Sequence, residues 1–357
     1  MNIIEYPFWV WVFFFAIVLI ALFVDIGIVN RKSHVPTRKE TVTWSIVWVS
    51  LALLFNVFIY WHVGSHNADW TLAATKAKEF FTGYLIELSL SVDNLFVFLL
   101  IFSYFKVPKE FQHRVLFWGI MGALVMRMIM IFAGAELVER FHWIIYVFGV
   151  FLLYTGIKMF SNDDEAFNPE ESRMISLITR YIPITKRFEG NNFTIKENGK
   201  TMGTLLLLVL IVVELSDLMF AVDSIPAIFG ITTDKFIVYT SNIFAILGLR
   251  TFFFLLADLA DRFHLLKFGL AFILSFIGAK MLLPLLAEGL IMILGDNSGS
   301  AFAAFLQKYL HHEYKQMEIN ISLIVVVVAI TLSVILSLIF PPKKGEDVVK
   351  EMEEDLT

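Results

Sequence analysis

An all-α polytopic membrane protein of about nine transmembrane helices is the fold the sequence predicts, and three observations predict it. The 357 residues are 58% apolar and only 17% charged, with a mean hydropathy of +0.75, whereas a water-soluble domain is about half apolar and about a quarter charged. The apolar surplus is gathered in blocks of about 20 residues, the length of helix that spans about 30 Å of hydrocarbon. Lys and Arg alternate between rich and poor connections: 17, counting Arg114 at the edge of the fourth span, lie in the odd-numbered connections and the carboxyl tail, against 6 at the amino end and in the even-numbered ones. That asymmetry predicts an amino end outside and a tail in the cytoplasm. Disorder and soluble Rossmann or barrel folds are excluded. With no cysteine there is no disulfide framework, thiolate metal site or Cys nucleophile, and the small net charge of -5 argues against a nucleic-acid partner.

The first block, Phe8 to Val24, follows Glu5 and precedes Arg31 and Lys32, the reverse of a signal peptide's charge order, so a retained helix is expected. Further spans are expected over residues 43–62, 79–104, 113–133, 142–160, 203–230, 236–257, 264–287 and 319–340. Tryptophans 9, 11, 44, 61, 70, 118 and 143 lie mostly near block ends, where interfacial rings belong. Two connections are long enough to hold structure. In residues 161–201 the pair Asn198-Gly199 between short β-capable runs predicts a hairpin within a small cytoplasmic subdomain. In residues 288–318 a polar Gly295–Gly299 break precedes Ala301 to Tyr314, which reads as an interfacial helix on the outer face. The charged tail, 341–357, is expected to be disordered.

The segment Phe141 to Met159 aligns without a gap on Phe263 to Met281, matching Gly156 with Gly278 and Lys158 with Lys280. Upstream, Arg127 corresponds to Arg250, Glu87-Leu-Ser89 to Glu214-Leu-Ser216, and Val92-Asp93 to Val222-Asp223 after a three-residue shift. Helices three to five (79–160) and six to eight (202–287) therefore read as copies, preceded by a helix pair in 1–78 and followed by a last helix in 319–340. Each copy has an odd number of spans, so the two lie in opposite orientations, a plan that places a substrate site near the midplane.

A charge at the bilayer centre costs at least about 2.5 kcal/mol, and here Glu87, Asp93, Glu214, Asp217 and Asp223 all fall in two helices. Pairing with Arg127 and Arg250 would offset part of that cost, as static counter-charges or as gates that occupy the carboxylates when substrate is absent. Five acids outnumber the two arginines, so bound cations or protons are needed as well. Asn94 and nearby serines at 89, 91, 216 and 224 add neutral oxygens. Pro226 frees the carbonyl of Val222 and predicts a broken helix near Asp223. Oxygen-only donors suit magnesium, calcium or manganese, and no histidine falls at mid-span. If helices three and six are antiparallel neighbours, Asp93 pairs in depth with Asp217 and Glu87 with Asp223. The first pair, with Glu214, would form the transport site; the second would form an outer site or gate closing on Arg127.

Gly83-Tyr-Leu-Ile-Glu87-Leu-Ser-Leu-Ser-Val-Asp93-Asn94 and Glu214-Leu-Ser-Asp217-Leu-Met-Phe-Ala-Val-Asp223-Ser-Ile-Pro-Ala227 resemble the paired signature segments of the TerC family. Thr240-Ser-Asn-Ile-Phe-Ala-Ile-Leu-Gly-Leu-Arg250 is similar to its Alx branch, and the likeness covers about residues 10 to 285. The resemblance implies a bacterial inner-membrane exporter of manganese(II), with the acids of both signatures handling the ion as substrate and no resident cofactor. Exchange for protons would follow if the carboxylates lose protons as metal binds. The second function class is a membrane-embedded partner of a stress-response or metal-delivery complex. No nucleotide loop, cofactor fingerprint or nucleophile-base pairing indicates an enzyme, and oligomeric state is left open.

Overall fold

The computed structural model describes residues 6–24, 38–160, 183–185, 187–197, 200–249, 251–253, 265–294 and 315–340. The Asn198-Gly199 turn, Arg250, the 301–314 segment and the tail lie outside the described residues, as do the side chains of Asp93 and Asp223. Among the described residues run α1 Phe8–Val24, α2 Arg38–Asn67, α3 Trp70–Tyr104, α4 Lys109–Arg140, α5 Ile144–Phe160, α6 Leu205–Phe229, α7 Lys235–Leu247, α8 Leu266–Leu294 and α9 Lys315–Ile339. The chain is an all-α polytopic membrane protein. Five stretches are long and apolar enough to cross a bilayer by themselves: Lys39–Asn67, Lys109–Arg140, Leu205–Phe229, Leu266–Gly289 and Met317–Ile339. Shorter apolar helices, α1, α5 and α7, accompany them.

Several helices extend beyond the apolar blocks because polar turns cap them. The Asp69 carboxylate accepts from the amides of Thr71 and Leu72, so α3 starts nine residues before the block edge at 79. Between α2 and α3, Ala68 takes a left-handed conformation, φ 51°, to reverse the chain in two residues. Phe8, Phe23, Leu54, Tyr154 and Ile339, with Trp9, Trp61 and Trp143, are exposed. Such outward apolar and aromatic side chains have no soluble rationale on this scale and suit a lipid surface.

The most extensive helix pair is α5 with α8, the two helices that carry the aligned segments. Their backbones approach through glycine. A Cβ on Gly278 would lie 2.5 Å from the Leu153 nitrogen and 2.7 Å from the Gly149 carbonyl, and one on Gly156 would lie 2.8 Å from the Ala271 carbonyl. Small residues serve this purpose in lipid, where close backbone packing replaces the hydrophobic drive. Because Gly149 meets Gly278 while Gly156 meets Ala271, the helices run antiparallel, and under the alignment each of these contacts maps onto the other.

Two apolar clusters flank the centre. One joins α1, α2, α7 and the first turns of α3 through Phe14, Phe55, Phe80 and Phe244; the other joins the far ends of α3, α4 and α6 through Phe98, Phe102, Leu116 and Val213. Residues 236–247 of α7 are buried all the way round. At the second end Thr194–Glu197 and Lys200–Gly203 pair antiparallel. The Arg114 guanidinium lies 4.9 Å from the Phe193 ring centre, docking that hairpin on the start of α4.

Candidate functional site: a buried carboxylate pair under one guanidinium

Glu87 sits at mid-α3, fully buried, and Asp217 at mid-α6, also buried. The two helices pack together and run antiparallel, since Gly83 of α3 abuts Ile228 of α6. Arg127 enters from α4, itself only 1% exposed. Its Nη1 pairs with Glu87 Oε1 and its Nη2 with Asp217 Oδ1 at 3.3 Å. Nη1 also donates to Asn242 Oδ1 at 3.0 Å and to Ser224 Oγ at 3.5 Å. Ser91, one turn along α3, donates to Glu87 at 3.1 Å. Ser224 is two turns beyond Asp217, so both face the arginine from one side of α6.

Four helices thus converge on one cation, and the network is incomplete. Glu87 Oε2, Arg127 Nε and Ser89 Oγ are buried without a hydrogen-bond partner. If both are ionised, two carboxylates against one guanidinium leave the described centre one negative charge in excess, in surroundings where an unpaired charge is costly. Glu214, half-buried one turn from Asp217, faces α4 so closely that a Cβ on Gly122 would collide with its carboxylate. A small apolar cavity lined by Phe98, Ala123, Val213 and Leu249 ends on Asp217. It lies toward the hairpin end of the bundle.

Of the residues singled out in the sequence, the structure brings Glu87, Asp217 and Arg127 together and sets Glu214 beside α4. Asn94 is buried on α3. Asp93 and Asp223 lie on the backbones of α3 and α6, with side chains outside the described residues, and Arg250 lies outside them altogether. Among the described residues no three or more His, Asp or Glu side chains are gathered as a metal site. Two expectations are modified. Arg127 was expected to close on the outer pair, Glu87 and Asp223; it pairs with Glu87 and in addition with Asp217, one acid from each expected layer, while the Asp223 side chain lies outside the described residues. A broken helix was expected at Pro226, yet α6 continues through it to Phe229. Pro226 stands in the last turn, so only three helical residues follow the hydrogen bond it removes.

Asn242 is the residue the sequence did not single out. It lies in the wholly buried α7 and anchors its own amide on the Val238 carbonyl at 2.8 Å, leaving Oδ1 for Arg127. The signal was an amide, after Thr240 and Ser241, within a mostly apolar run, which a buried helix accepts only with a partner.

A helical membrane protein with a guanidinium and two carboxylates at its buried centre is the class this geometry defines. The matching family model, described as "Integral membrane protein TerC family", covers residues 72–344, and the chain belongs to that family. It is 52% identical over 271 residues to a membrane protein of Myxococcus xanthus, covering 76% of this chain and 82% of that one. It is 49% identical over 284 residues to a Salmonella typhi protein named as a candidate membrane-bound redox modulator, Alx, covering 79% and 88%. The Escherichia coli K12 protein of that name is 48% identical over the same length. No solved structure matches the chain.

Proposed function

We propose that the protein exports a divalent metal cation across the inner membrane, manganese(II) being the ion its signatures and oxygen donors suit, with a carboxylate site at mid-depth. One observation carries this reading: Glu87 and Asp217, from antiparallel helices, are held by a single buried guanidinium, with Glu87 Oε2 unpartnered. Two carboxylates match the charge of one divalent ion, and their oxygens suit a hard cation. Arg127 stands where the ion would neutralise them, so ion binding and the arginine's ion pairs compete. Asn242 and Ser224 give the guanidinium neutral acceptors when it yields the acids. Glu214 lies nearer the hairpin end, on the proposed cytoplasmic approach, and the acids at 93 and 223 extend the same two helices. Proton exchange would follow from carboxylates that bind either protons or metal.

The names of the Alx relatives suggest a redox role instead. A thiol exchange by this chain would need cysteine, which it lacks, so a redox effect would come through its cargo or through a partner complex. Purified protein in liposomes separates the readings. Manganese flux without any partner, lost in Asp217→Asn, supports export; no flux of manganese, calcium or magnesium in well-folded protein sinks it.

A further inference from the structure

At the far end of the bundle from the hairpin lies a second buried ionic cluster, outside the centre described above. Lys76, on the first turns of α3, is 7% exposed, and its ammonium donates to Glu79 Oε2 and to Asp234 Oδ2, each at 2.9 Å. The Thr232 hydroxyl donates to the same Glu79 oxygen at 2.8 Å. Tyr6, stacked on Phe236 with ring centres 4.2 Å apart, donates to Asp234 at 3.4 Å. Burial pushes the Tyr6 phenol well above its ordinary pKa, with Asp234 and Glu79 adding to the effect, so it stays a protonated donor. Asp234 also caps α7 by accepting from Phe236 and Ile237.

These partners divide by element. Glu79 shares a helix with Lys76, three residues on, and any movement of α3 carries both together. Asp234 belongs to the turn between α6 and α7. Its neighbour Lys235 makes a second tie, to Glu139 at the end of α4, at 2.9 Å and partly exposed. Adjacent residues of opposite charge thus fasten the α6–α7 turn to both α3 and α4.

We propose that Lys76–Asp234 is a latch that closes the outer end of the transport path. When it opens, the Thr232–Glu79 hydrogen bond on the same turn parts with it, but Lys76 keeps Glu79 and Asp234 keeps its cap and Tyr6, so each charge retains hydrogen-bond partners. The release is therefore inexpensive enough to recur in every cycle, unlike rupture of a lone buried pair. This rests on the transporter reading for its purpose, but the latch is tested without flux.

The chain has no cysteine, so one introduced thiol reports alone. Ser241 is buried on α7, between Asp234 and Asn242, against Gly83. In Ser241→Cys, labelling by a membrane-impermeant maleimide applied to intact cells is expected to be slow. Adding Lys76→Met should speed it about tenfold, within the usual range for losing one coupled interaction, while Lys76→Arg should stay slow. Should Lys76→Met fail to reach the membrane, Lys235→Gln removes the exposed tie without uncovering a buried charge and should give about a twofold to threefold increase. Equal rates in all folded backgrounds, with reagent on either side, would overturn the latch. Acceleration in inverted vesicles alone would overturn its assignment to the outer end. Acceleration in a protein that moves no metal would leave the latch standing and remove the export reading.

Discussion

Glu87 and Asp217 lie on helices that run in opposite directions, and the same guanidinium, that of Arg127, pairs with both. Removing the arginine leaves two buried carboxylates facing each other, which in a protein interior costs about 3–5 kcal/mol. Replacing it also empties the position that a divalent ion would share.

Arg127→Met is therefore expected to lower the melting temperature of the purified protein in detergent and to make that temperature depend strongly on manganese. At about a hundredfold excess over Kd, a bound ion returns about 2.7 kcal/mol. The native chain should gain less, because its arginine must first be displaced. Melting curves with and without manganese check this; an equal shift in both proteins would mean that ion and arginine do not compete.

Gly122 offers a gentler probe, because a methyl group there meets the end of the Glu214 side chain rather than any backbone. Gly122→Ala should turn Glu214 out of place at a stability cost of about 1 kcal/mol or less, while reducing metal flux several-fold. Gly289→Ala is the control, since nothing lies within 4 Å of the added methyl. Equal flux in both variants would exclude Glu214 from the path.

How much of this was legible in the sequence depended on whether the signal was local. Apolar blocks gave the helices, because lipid demands a continuous run of such residues. The antiparallel register of α3 and α6 was also legible: depth pairing from residue numbers holds at Gly83 and Ile228 to within one residue. What lay beyond reach was rotation about the helix axes. Arg127 comes from a third helix, and no periodicity in α4, apolar on nearly every side, indicates where it points. Likewise Lys76 and Glu79 sat at or before the expected start of span three, so they read as a wet connection. The Asp69 cap carries α3 further out, and Asp234 returns to meet them. Pro226 misled because its helix was already ending.

Topology is independent of any site. The hairpin of residues 194–203 docks at the start of α4, on the end opposite Asp234, and the basic residues concentrate in the same set of connections. Reporter fusions after Lys186 and after Lys343 should both read cytoplasmic. A signal from outside at either position would reverse the bundle and exchange the roles assigned to its two ends.

The last prediction separates the acids by role. Asp217 touches Arg127, is buried, and closes the small cavity on the hairpin side, so an ion arriving from that side meets it early. Its neutral analogue keeps the shape but removes half of the described carboxylate pair, and Arg127 then pairs with Glu87 alone, with no charge in excess. Asp217→Asn should abolish manganese binding while leaving the fold as stable as the native one or more so, because a buried charge imbalance has been relieved. Asp93, at the depth the sequence assigns to Asp217, should behave likewise for binding: cells lacking their own manganese exporters should retain low manganese when they express the native protein and lose that effect with Asp93→Asn. Both variants are compared by metal content at matched membrane expression and by direct binding to purified protein. Undiminished affinity in the Asp93→Asn, Asp217→Asn double variant would show that the ion is held elsewhere, and the buried carboxylates would then be structural partners of Arg127 alone.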